Sequence, residues 1–199
     1  MKIGIFYYPT IFSCWPVHLH KREENIRKAI RDYCLKHNLD DAIPVAFKAT
    51  DFYMRCRNFP YRFGRNEDSL KVRPLELCDR GLHFCGDLGS VFDFYSFKEF
   101  DWPSANTRYF IAFPEGFIRY SVNKMCSNVL NILKEIPRDM TEEHYAKTLL
   151  IKYYGCEPRD VGMSPGLYDL VNDAVNEFIA NNKDGNDYVN LISYSEGGD

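Results

Sequence analysis

Leu167, Leu170, Val171, Ala174, Val175, Phe178 and Ile179 recur on the period of about 3.6 residues that lays one apolar stripe along a helix. Ser164 followed by Pro165 is a good N-cap and first-turn pair to open it. A second stretch, residues 21–37, shows the same spacing through Ile26, Ala29, Ile30, Tyr33, Cys34 and His37, and Asn38, Asp40 and Pro44 stop it. The middle of the chain reads instead in short alternating runs. One-sided helices at the two ends need a surface to cover, and the middle supplies strands. The predicted class is therefore α+β, with a β-rich centre and flanking helices.

Along the chain, residues 1–8 read as a buried strand and 9–20 as a loop carrying Cys14, His18 and His20. Residues 45–50 read as a strand. Residues 51–74 are irregular and basic, punctuated by Pro60, Gly64 and Pro74. A strand at 82–85, a short helix at 88–97 and a loop at 98–107 follow. Residues 108–113 and 117–120 read as two strands joined at Pro114-Glu115-Gly116. Residues 127–136 read as a strand, although Val129, Leu130, Ile132 and Leu133 also suit a short helix. Thr141 is the expected cap of a helix reaching Tyr154, and the tail from Lys183 reads as loose. This divides the chain into an N-terminal strand and helix at 1–44, a central unit at 45–137 and a helical extension at 138–199.

Composition narrows the function. The net charge of −3 argues against nucleic acid held on a generally basic face. A local basic cluster of Arg55, Arg57, Arg62, Arg65, Lys71 and Arg73 reads either as a solvated face or as an anion-binding rim. No apolar run has the length of a membrane span, and the aromatic N-terminus ending at Pro9 does not read as a signal peptide. The expected location is the cytosol. Seven cysteines, an odd number without close pairing, read as reduced thiols. The 15 Phe and 14 Tyr suit a ring-built core, or a stacking surface for a nucleotide.

Chemistry concentrates in Leu77-Cys78-Asp79-Arg80-Gly81-Leu82-His83-Phe84-Cys85 and the Val91-Phe92-Asp93-Phe94-Tyr95 that follows. Asp79-Arg80-Gly81 reads as a turn. Strand alternation then places His83 and Cys85 on one face, and Leu82 and Phe84 on the other.

The centre resembles an uncharacterised domain of bacteria and their phages. The resemblance runs through Ala46 to Asp51, Met54 to Tyr61, Gly64, Cys78, Gly81 to Cys85, Asp93 to Tyr95, Arg108 to Gly116, Asn123-Lys124 and Ile132 to Ile136. More remotely, it is similar to the ADP-ribosyltransferase superfamily, in particular the rifampicin-modifying type. That similarity implies NAD as cofactor and a protein or small-molecule acceptor. Lys48 stands where the superfamily carries a ribose-binding His or Arg. Gly81-Leu82-His83-Phe84 matches its second strand, with His83 in place of a tyrosine. Phe94 or Tyr95 would stack on the nicotinamide, and Lys48, Arg55 or Arg57 would pair with the pyrophosphate. His83 would bond a ribose hydroxyl. A carboxylate would stabilise the oxocarbenium-like centre, with Glu115 and Glu135 as candidates.

Two other readings stand beside this one. Cys56, Cys78, His83 and Cys85 offer three sulfurs and one imidazole for zinc, although Cys-x4-His-x-Cys lacks the usual paired knuckle. The same cysteines equally suit plain core positions. Cys14, His18 and His20 form a further potential cluster. A cysteine hydrolase would require Cys14 or Cys126 to face a histidine, which sequence does not give. An interaction module without catalysis is the third reading. The 164–182 helix could then dock a partner, or pack on the protein's own sheet.

Overall fold

In the computed structural model of the chain, the residues described are 2–7, 23–68, 75, 80–94, 106–120, 124–156, 161–182 and 192–196. They form an α+β protein. The elements are β1 (Ile3–Tyr7), α1 (Glu23–His37), β2 (Asp41–Thr50), β3 (Arg55–Cys56), β4 (Phe59–Pro60), β5 (Gly64–Glu67), β6 (Leu82–Phe84), α2 (Leu88–Phe94), β7 (Arg108–Tyr120), β8 (Met125–Glu135), α3 (Arg138–Tyr153), α4 (Pro165–Asn181) and β9 (Ile192–Glu196). Seven strands make a mixed sheet in the order β1-β2-β7-β8-β5, with β6 also on β8 and β9 also on β7. The β3–β4 hairpin stands apart.

Alternation along the central strands sorts the core onto two faces. Ala42 and Ala46 of β2 join Phe110 and Ala112 of β7 on one face, under Ile30 and Cys34 of α1. Ile43, Val45, Phe47 and Ala49 join Tyr109, Ile111 and Phe113 on the other. There they meet Leu88, Val91 and Phe92 of α2, and Leu167, Val171, Ala174 and Val175 of α4. Each such buried side chain larger than alanine is worth about 1.5–3 kcal/mol. The apolar stripe of α4 is thus covered by the protein's own sheet. Ser164 caps this helix, its Oγ accepting from the Leu167 N–H at 3.4 Å. No helix among the described residues is long and apolar enough to cross a membrane.

Several elements differ from expectation, each for a reason of pairing. Pro114 and Gly116 do not turn the chain; β7 runs unbroken from Arg108 to Tyr120. On one edge β2 pairs with residues 108–112, and β9 pairs with 116–120. Pro114 falls between these two partners, where its missing N–H costs that edge no ladder bond. Gly116 takes φ +76°, and the β7–β8 register shifts between Glu115 and Ile118, which is a bulge and not a hairpin. The supposedly irregular 51–74 contains the β3–β4 hairpin and β5, which is antiparallel to β8. Residues 192–196, expected as loose tail, are a strand parallel to β7. Strand β2 begins at Asp41, because β1 pairs with it from there in parallel. The helix expected from Thr141 starts at Arg138; Thr141 lies in its first turn, with Oγ1 donating to the Pro137 carbonyl at 2.9 Å. The segment 127–136 is strand β8, from Met125. The loop at 9–20, with Cys14, His18 and His20, and nearly all of the loop at 98–107 lie outside the described residues.

Gly81 leads into β6 with φ +103°. A Cβ built there would meet Leu75 Cδ2 at 2.7 Å, and Cys126 Cβ and Ser127 O at 3.3 Å. Gly81→Ala should therefore destabilise the protein by about 2 kcal/mol, through backbone strain and crowding together. A denaturant midpoint unchanged from wild type would refute that reading of the turn.

Candidate functional site

Strands β2 and β6 touch at a single bridge, where Phe47 and Cys85 exchange backbone hydrogen bonds of 2.8 and 2.9 Å. The strand path β2-β7-β8-β6 thereby returns to β2 and nearly closes. Past the bridge the two strands are not paired, and a cleft of about 300 Å³ lies there. Its described lining is Phe47, Lys48, Ala49, Cys56, Arg57, His83, Phe84, Cys85, Val91, Phe94 and Lys124. That volume lies at the lower end of the range for small-molecule sites.

Each wall has its own scaffold. Lys48 and Ala49 come from β2, whose other edge is held by β7. His83 comes from β6, fixed on β8 by the His83–Cys126 pair. Helix α2 is capped by Asp87, whose carboxylate accepts from the Ser90 N–H and Oγ, each at 2.7 Å. It brings Val91 and Phe94 to the cleft. The segment 51–61 is a tight unit. Asp51 Oδ1 accepts from the Arg55 N–H at 2.7 Å, and the Tyr61 N–H donates to the Met54 carbonyl at 2.7 Å. It carries Cys56 and Arg57 to the cleft. Arg57 adopts φ +54°, a left-handed conformation that costs a non-glycine residue about 1–2 kcal/mol. It is the conformation that the tight two-residue turn between β3 and β4 calls for.

Lys48 is the unusual member. It is 2% exposed, yet it lies on the cleft wall. Its Nζ stands 4.8 Å from the centroid of the Tyr61 ring. Burial lowers its pKa from the ordinary lysine value, and Arg57 lowers it further; Cys56, by charge and by a hydrogen bond, and Cys85 act the other way. Burial pushes the Cys85 thiol well up, so it stays protonated, and Asp87 adds to the shift. Lys124 Nζ lies 5.9 Å from the Phe94 ring centroid, on the far side of the cleft.

Of the residues singled out from sequence, Lys48, Arg57, His83 and Phe94 meet in this cleft. Arg55 is exposed on β3 and is not in the lining. Tyr95 lies outside the described residues, as do Lys71 and Arg73. Glu115 is elsewhere: it is ion-paired with Arg65 and accepts from Asn131 Nδ2 at 2.7 Å. Glu135 is held by a two-pronged Arg108 contact, at 2.8 and 2.6 Å. Neither glutamate lines the cleft. Cys56, His83 and Cys85 all do, whereas Cys78 lies outside the described residues. Among the described residues, no three His, Cys, Asp or Glu side chains form a group that could hold a metal ion. Lys124 was not singled out as a cleft residue from sequence. It directly precedes β8, and only the fold brings it to the cleft.

Fold and site together define an α+β protein with a cation-rich cleft at the split edge of a mixed sheet. The chain belongs to the family described as Domain of unknown function (DUF7666), whose profile matches residues 44–144. Every described residue lining the cleft lies within that span. No curated protein and no solved structure matches the chain.

Proposed function

We propose that the cleft binds a nucleotide of the NAD or ADP-ribose class. The observation that carries this reading is the convergence of Lys48, Arg57, His83 and Phe94, from four separate elements or turns, on one cleft. Arg57 and Lys124 supply positive charge for phosphate oxygens, and Lys48 adds a hydrogen-bonding amine beside them. Phe94, which is 44% exposed, offers a ring face for a base or nicotinamide. In this reading His83 bonds a ribose hydroxyl, and Phe47, Phe84 and Val91 supply apolar lining. The described lining contains three basic side chains and no carboxylate, a composition that selects for an anion. The remote similarity to ADP-ribosyltransferases adds an associational argument for the same ligand class. It also suggests ADP-ribosyl transfer to a protein or small-molecule acceptor. With Glu115 and Glu135 both engaged by arginines outside the lining, binding is the better supported half of that reading.

Calorimetric titration of NAD and of ADP-ribose tests it, with His83→Ala alongside. Saturable binding is expected, weakened about tenfold or more in the variant by loss of one polar contact. Absence of heat and of any thermal shift up to about millimolar ligand overturns the proposal.

A further inference from the structure

We infer that Lys48 is a nucleophilic amine that captures the carbonyl carbon of an anionic aldehyde as an imine, the open-chain reducing end of ADP-ribose being the aldehyde that fits this cleft. The inference rests on the nucleotide reading for its choice of ligand and on the geometry of Lys48 for its chemistry.

A lysine becomes a nucleophile when its environment disfavours the ammonium form, by desolvation or by a neighbouring cation. Both conditions meet at Lys48. The side chain is 2% exposed, and Arg57 is among the charges that depress its protonation. It still lies on the wall of a cleft large enough for a ligand. The groups acting on it include Tyr61 and Cys56 from the 51–61 segment, Arg57 from the hairpin turn and Cys85 just after β6, and His83 lines the same cleft. Arg57 and Lys124 are left to bind the phosphates of the incoming aldehyde.

The step is balanced. The nitrogen lone pair of Lys48 attacks the carbonyl carbon and gives a carbinolamine. The carbonyl oxygen then leaves as water with both amine hydrogens, and a C=N bond remains. His83, in the same cleft, can supply the proton that makes the hydroxyl a leaving group and recover one afterwards. No oxidant or metal takes part.

Trapping tests the inference on the full chain. The protein is incubated at pH 7 with cyanoborohydride and one of three probes: ADP-ribose, glyceraldehyde 3-phosphate or NAD. Modified lysines are then located by peptide mass. NAD is the control, because the ribose carbon in question is tied up in its glycosidic bond. The expected result is an adduct on Lys48 with ADP-ribose, formed about tenfold or more faster than on Lys147 and Lys152, which lie outside the cleft, since a bound aldehyde is held beside the Lys48 amine. NAD should give none, and Lys48→Met should remove the fast site. An adduct on Lys48 from glyceraldehyde 3-phosphate without calorimetric binding of ADP-ribose supports the amine and overturns the nucleotide reading. Saturable ADP-ribose binding with no preference for Lys48 over Lys147 overturns the amine and keeps the nucleotide reading. No Lys48 adduct from either aldehyde overturns the amine outright.

Discussion

Lys48→Met should make the protein more stable at neutral pH while weakening its affinity for an anionic ligand. Methionine keeps the length and most of the volume of lysine, so the packing against Tyr61 survives. What disappears is an ammonium group whose burial disfavours its charge. The gain expected is about 1–3 kcal/mol, the scale found when buried charges are replaced by apolar groups of similar size. Because the folded pKa lies below the ordinary 10.5, the unfolded chain holds the proton at a pH where the folded one has released it. Wild-type stability from this group therefore rises with pH between the folded and unfolded values. The advantage of the variant should shrink as pH rises towards 10.5. Affinity for ADP-ribose should fall about tenfold, the worth of one lost hydrogen bond. Denaturant unfolding of both proteins across this pH range, with calorimetry at pH 7, measures all three. A variant less stable than wild type at pH 7 would make Lys48 a structural residue and remove the reason to place it in a binding site.

Where local pattern and global pairing agree, the sequence was a good guide. The stripes of α1 and α4 were legible because a one-sided 3.6-residue repeat has few other uses, and the Ser164 cap agreed with it. Strand β6 was legible from alternation, and with it His83 and Cys85 on the face opposite Leu82 and Phe84. The failures share one cause. Pro114-Glu115-Gly116 carries the chemistry of a turn, but β2 and β9 approach β7 from distant parts of the chain and leave Pro114 a gap to occupy. Strands β5 (Gly-Arg-Asn-Glu) and β9 (Ile-Ser-Tyr-Ser-Glu) are too polar to announce themselves, and only their neighbours make them strands. The site was half legible for the same reason. Lys48 and His83 could be placed on strands, and Phe94 on a helix. That the hairpin carrying Cys56 and Arg57 would reach the β2–β6 split, and that Lys124 would face it, depends on contacts no local spacing encodes. Glu115 is a candidate from sequence only as the carboxylate the remote resemblance calls for; β7 carries it instead to Arg65 and Asn131.

His144 should make the protein acid-labile by a mechanism separate from the cleft. It is 4% exposed on α3, with its ring centroid 6.2 Å from that of Phe92. Phe92 in turn packs edge-on against Tyr109 and Tyr145, at 5.4 and 5.1 Å. Burial in this aromatic cluster depresses the imidazole pKa from 6.5 to about 4, and the Lys147 charge adds to it, against a smaller opposing pull from Glu143. Above pH 6.5 the imidazole is neutral in both folded and unfolded chains, and it costs nothing. As pH falls from 6.5 towards 4, the unfolded chain takes up the proton and the folded chain does not. Stability is therefore lost across that window, by about 3 kcal/mol in total, and the loss levels off once the folded imidazole also titrates. His144→Leu removes the titrating group and keeps an apolar neighbour for Phe92. Its stability relative to wild type should rise by that amount between pH 7 and pH 4, whatever the offset at pH 7, because other titrating groups cancel in the difference. Parallel stability–pH curves for the two proteins would show that His144 protonates without penalty, and that the aromatic cluster does not exclude water from it. A curve that separates only below pH 6.5 would tie the acid limit of this fold to the α2–α3 contact, leaving the cleft residues free of that role.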